Sequence, residues 1–110
     1  MLIGTFREAP TGYSGRIATL TLDAALAIVP AAPSDTENAP NWRVLLGDAD
    51  SAVEVGAGWD RTGERAGPYV ALQIDDPALP APLRANLIRS AREEGEHHLL
   101  WSRPQPQDRG

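Results

Sequence analysis

Residues 67–75 read GPYVALQID, and the alternation inside them decides between strand and helix. Val70, Leu72 and Ile74 fall on one face of an extended chain, and Tyr69, Ala71 and Gln73 on the other. Successive strand side chains point to opposite sides, so this stretch reads as a half-buried β-strand. Upstream, DRTGERAG (60–67) joins it to the preceding strand, with Gly63 and Gly67 able to take positive φ. Downstream, two acids are followed by Pro77, Pro80 and Pro82. A residue before proline is held extended and aspartate favours turns, so Asp75 and Asp76 mark the exit of the strand.

The same reading extends outward in both directions. LIGTF (2–6) opens with short alternation, and RIATLTLDAALAIV (16–29) is long enough for two strands. AAPSDTENAPN (31–41) is a loop by composition. WRVLLG (42–47) and AVEVGAGW (52–59) flank a hairpin connection at GDADS. Residues 83–101, LRANLIRSAREEGEHHLLW, carry two patterns at once. Leu83, Leu87, Ile88 and Ala91 are near helical spacing, whereas Leu83, Ala85 and Leu87 alternate, and AREEGE reads as a hairpin tip between two strands. The strand reading is the one adopted. About seven or eight short strands then form an all-β antiparallel meander, closed into a small barrel or sandwich. Ten glycines and ten prolines suit its many turns. The expected organisation is one β domain over 1–104 and a disordered tail over 105–110.

Composition narrows the function. The 110 residues contain no cysteine, which excludes disulfides and thiolate metal sites. No apolar run approaches the roughly 18 residues of a membrane span, and the N-terminus lacks a signal-peptide pattern. The expectation is a cytoplasmic protein without a membrane segment and without a cofactor. All ten basic residues are arginine, against fifteen acids. Residues 1–80 hold five Arg and eleven acids, a formal −6, and residues 81–110 hold five Arg and four acids, a formal +1. So acidic a body does not coat DNA without regard to sequence, which needs several cations on phosphates. A local arginine patch remains compatible with it.

IGTF (3–6), GYSGRIATLTL (12–22), ENAPNWRV (37–44), VGAGW (55–59), the DDP stretch and LLWSRP (99–104) occur in this order. Together they resemble a bacterial family, domain of unknown function 736, over nearly the whole chain. The resemblance implies a short β-rich protein associated with plasmids and other mobile elements, and it carries no catalytic residue. The chain departs from the family in having no lysine and in the pair His97-His98.

Chemical motifs fall short one by one. Neighbouring aspartates on a strand diverge, so Asp75 and Asp76 cannot share an ion unless the strand ends between them. GDADSAVEVG offers Asp48, Asp50 and Glu54, but Ala52, Val53 and Trp59 stand where a calcium loop needs a ligand, glycine and glutamate. His97 and His98 lack the four-residue spacing that puts two imidazoles on one face. GYSG has Arg16 in place of the second glycine of a nucleophile elbow, and GAGWDR has Arg61 in place of the third glycine of a dinucleotide fingerprint.

The aromatic residues are harder to set aside. Tyr13, Trp42, Trp59 and Trp101 serve either as core or as an open face beside Arg43, Arg84 and Arg103. Such a face would stack the bases of single-stranded nucleic acid. With Asp75 and Asp76, these residues make up the candidate binding surface. The leading reading is a non-enzymatic binding or accessory protein with a protein partner, which strand edges would be available to pair. The alternatives are an OB-like binder of single-stranded nucleic acid and an acidic DNA mimic that inhibits a defence protein.

Overall fold

The structure, a computed structural model, describes residues 1–64, 67–77 and 79–102. Eight strands follow one another: β1 (Leu2–Ala9), β2 (Gly12–Ala18), β3 (Asp23–Pro30), β4 (Trp42–Leu46), β5 (Glu54–Gly63), β6 (Gly67–Ile74), β7 (Leu83–Arg89) and β8 (Glu96–Leu100). Each pairs antiparallel with the next, and β8 pairs with β1, which closes the sheet into an up-and-down barrel. Between barrel and sandwich, the answer is barrel. Closure has a direct consequence for recognition, since a closed barrel has no free strand edge. The strand edges that the sequence reading held available for a partner are paired with one another in the closed barrel.

Alternation sets the inside and the outside of every wall. Phe6, Ile17, Ile28, Val44, Leu87 and Leu99 are fully buried and belong to a core cluster contributed by all eight strands. Burying an apolar side chain of this size stabilises by about 1.5–3 kcal/mol. Outward positions such as Arg7, Arg16, Arg43, Arg84 and Asn86 are exposed. Apolar inside and polar outside is the reverse of the outer-membrane barrel pattern. No helix long and apolar enough to cross a membrane occurs among the described residues.

Inward glycines make room for the largest side chains. Gly15 faces Phe6 across β1 and β2, and a Cβ there would lie 2.7 Å from both Phe6 Cα and Phe6 Cγ. Gly58 faces Trp42 across β4 and β5, where a Cβ would meet Leu72 Cδ2 at 2.7 Å and Val70 Cγ1 at 2.9 Å. Small-against-large pairing of this kind fills a narrow barrel without voids.

The turns follow the sequence reading, with one shift. RIATLTLDAALAIV divides into β2 and β3 at a turn where Leu22 donates to Thr19 Oγ1 at 3.1 Å. AREEGE is the β7–β8 hairpin tip, with Gly95 at φ 82°. DRTG, by contrast, is not connector: β5 continues to Gly63, which pairs with Gly67. Polar residues can extend a strand when its neighbour supplies the ladder, which composition does not reveal. The expected tail at 105–110 lies outside the described residues.

At the end where β1 begins and β8 stops, the Met1 ammonium donates to the Trp101 carbonyl at 2.9 Å, and the Trp101 amide donates back to the Met1 carbonyl at 2.8 Å. That end also encloses an apolar cavity of about 130 Å³ between Ile17, Leu26, Val55 and Leu79. The opposite end is polar.

Candidate functional site

The anticipated binding surface separates into distinct places. Trp42 and Arg43 are neighbours on β4, so the pleat sends them to opposite sides of the wall. Trp42 packs against the core, with its indole N–H donating to Asp60 Oδ1 at 2.8 Å. Arg43 stands outside, ion-paired to Glu54 at 2.9 Å. Tyr13 is also inside, its ring 5.4 Å from that of Trp42. Trp101 packs on the core at the end where it pairs with Met1.

Asp75 and Asp76 do mark the exit of β6. The Asp75 amide donates to the Val55 carbonyl at 2.7 Å, and the Asp76 carbonyl accepts from Leu79 at 2.8 Å to shape the turn. Asp75 is exposed, whereas Asp76 borders the apolar cavity. Arg103 lies outside the described residues.

Two of the anticipated residues do share a face. Trp59 on β5 pairs in register with Ala71 on β6, which pairs with Asn86 on β7, and Gln73 pairs with Arg84 one step along. These outward rows floor a groove of about 630 Å³ lined by Trp59, Arg61, Gln73, Arg84 and Asn86, with Asn38 at its rim. The Trp59 indole N–H donates to the Asn38 carbonyl at 2.8 Å, which fixes the ring by its edge. Arg61 donates only to the carbonyl of its neighbour Asp60, at 3.1 Å, and Arg84 forms no ion pair among the described residues. Among the described residues no carboxylate lines the groove, although the chain carries fifteen acids. Elsewhere on the wall Arg16 is neutralised by Asp23 at 2.6 Å, and Arg7 by Glu93 at 3.0 Å and Glu96 at 3.3 Å. The groove is thus a positive, amide-rich strip with one fixed aromatic.

The second arrangement occupies the polar barrel end. Glu8, Tyr13, Asp60, Arg89 and His97, from five different strands, line a cavity of about 480 Å³ floored by Val70 and Leu87. The His97 ring packs edge-on against Tyr13 at 4.7 Å and is only 7% exposed. Its Nε2 stands 3.8 Å from Glu8 Oε2, and its Nδ1 is buried with no hydrogen-bond partner within bonding distance among the described residues. Burial holds the His97 pKa below the usual histidine value, while Glu8 and the Gly95 backbone pull upward more weakly. Burial likewise pushes the Tyr13 phenol up, helped by the carboxylates of Glu8 and Asp60. His98 points outward, with Nε2 2.8 Å from Glu96 Oε2. No group of three or more His, Asp or Glu is placed to hold a metal ion among the described residues.

Of the mouth residues, reading the sequence singled out Tyr13 as part of a surface and His97 only to set it aside. Glu8, Asp60 and Arg89 were missed. A usable signal was present: each lies two positions beyond an inward residue, Glu8 after Phe6, Asp60 after Gly58 and Arg89 after Leu87. Continuing each period-2 row to the strand end brings all of them to one rim.

A protein-family model described as "Protein of unknown function (DUF736)" matches residues 2–104. No curated protein and no solved structure matches the chain.

Proposed function

Because the chain belongs to the DUF736 family, whose description names no activity, the reading must come from its surfaces, and we propose a non-enzymatic binding protein that holds single-stranded nucleic acid along the Trp59–Arg84 groove. One observation carries this reading: a strip with two arginines, an edge-anchored tryptophan and, among the described residues, no carboxylate, on an otherwise acidic protein. Phosphates gain from unneutralised guanidiniums, and a base stacks on an indole of any orientation that keeps its face open. Gln73, Asn86 and Asn38 add donors and acceptors for base edges or sugar hydroxyls. An accessory role in a mobile element, which the family resemblance implies, forms part of the same proposal.

This reading is favoured over a protein partner because barrel closure removes strand addition as a docking mode. It is favoured over an acidic mimic because Asp23, Glu54, Glu93 and Glu96 are tied to arginines, while Asp48 and Glu37 sit in turns at opposite barrel ends. Titrating a fluorescently labelled oligodeoxythymidine with the protein at low and then raised salt tests it. Binding that weakens with salt supports the reading, and no binding at low salt ends it.

A further inference from the structure

The polar barrel mouth is lined by four charged side chains, Glu8, Asp60, Arg61 and Arg89, with no ion pair between them among the described residues. Glu8 projects from β1 and Asp60 from β5, on opposite sides of an eight-strand ring. Arg89 projects from β7 and forms no ion pair among the described residues. A cavity lined by separated charges of both signs, over an apolar floor of Val70 and Leu87, is complementary to a ligand that carries both signs itself. His97 adds a further polar group facing Glu8. It is nine-tenths buried in the cavity wall, and its Nε2 stands 3.8 Å from Glu8 Oε2, too far for a hydrogen bond. A donor placed beside both can bridge such a gap.

We infer that this mouth binds a small zwitterion, an ammonium and a carboxylate on a short apolar frame, of the size and chemistry of a free amino acid. The ammonium is attracted by both carboxylates, Glu8 and Asp60, and donates to His97 Nε2. The Tyr13 ring flanks it, where a cation gains from the aromatic face. Arg89 takes the carboxylate in its two-pronged geometry. The apolar frame settles on Val70 and Leu87. A nucleobase fits less well, because it carries no formal charges and would leave Glu8, Asp60 and Arg89 unneutralised. The site shares only Arg61 with the groove and does not depend on the reading given to it.

The test is calorimetric titration of the full chain with L-leucine, L-phenylalanine and L-glutamine, and with isoamylamine and 4-methylpentanoate as single-charge probes. At least one amino acid is expected to bind at concentrations up to about 10 mM, and both single-charge probes at least about tenfold more weakly. Arg89→Gln should remove the advantage of the zwitterion over the amine, and Asp60→Asn its advantage over the carboxylate. Asp60→Asn keeps an oxygen for the Trp42 N–H, and a melting curve for each variant separates lost binding from lost folding. Tyr13→Phe keeps the ring and should retain binding, so it serves as a folded reference should either variant unfold. No heat with any amino acid overturns the inference. So does binding that a folded Arg89→Gln leaves unchanged, or binding of uncharged nucleosides in place of zwitterions.

Discussion

Trp42 donates its indole N–H to Asp60 Oδ1 at 2.8 Å, so the ring is turned into the barrel and tied to a carboxylate two residues beyond its register partner, Gly58. The bond links β4 to β5 at the polar end, where Asp60 also lines the mouth. One side chain therefore serves both the wall and the cavity.

Asp60→Ala removes that acceptor and leaves a partly buried N–H without a partner. The expected loss is about 1–2 kcal/mol of unfolding free energy, the usual scale for one such bond. Urea unfolding of the two proteins measures it, and an unchanged midpoint would show that water replaces the carboxylate at no cost.

Gly15→Ala places a methyl group 2.7 Å from Phe6 Cα and against the Thr5 carbonyl. Backbone cannot retreat there without breaking the β1–β2 ladder, so the change is expected to cost about 1–3 kcal/mol or more. Gly47→Ala gives the contrast: its Cβ meets nothing within 4 Å, and only the positive φ of 99° resists it. Thermal melts should rank Gly15→Ala as the less stable; the reverse order would contradict the packing described.

His97 confers a pH dependence with a definite sign. Its pKa is lowered in the fold, chiefly by burial and further by Arg89 and His98, against the opposing pull of Glu8 and the Gly95 backbone. Tyr13 faces it as well. In the unfolded chain the imidazole titrates near 6.5, so as pH falls the unfolded state takes up the proton first. Its stabilising contribution is full above that value and is lost as pH drops from about 6.5 toward the lowered pKa. Unfolding free energies at about pH 7.5 and 5.5 should fall more for the wild type than for His97→Gln. Equal falls would place the pH sensitivity elsewhere.

Much of this architecture was open to reading before any coordinates. In β6 the row Val70, Leu72, Ile74 and the exit at Asp75 are local consequences of period and proline chemistry. In β7 a local signal was ambiguous, since Ile88 beside Leu87 imitates a helix. There, pairing with β6 and β8 settles Ile88 on the outside. Closure itself has no local sign: nothing in LIGTF or EHHLL marks them as partners, because their pairing spans almost the whole chain. The groove was half legible, with Trp59 and Arg84 named but Arg61, Gln73 and Asn86 brought beside them only by register. The Trp42–Arg43 pair misled because adjacency in sequence is opposition on a strand.

The central claim is that Trp59, Arg61 and Arg84 form one nucleic-acid surface. Fluorescence anisotropy of a labelled oligodeoxythymidine, measured across a salt series for the wild type, Trp59→Ala and Arg84→Gln, tests it most directly. With two arginines on phosphates, log of the binding constant should fall against log of salt with a slope of about −1.4, reduced by about 0.7 in Arg84→Gln. Trp59→Ala should weaken binding by about 1–3 kcal/mol with the slope unchanged. An affinity that neither substitution alters, or no binding by the wild type at low salt, would contradict the account.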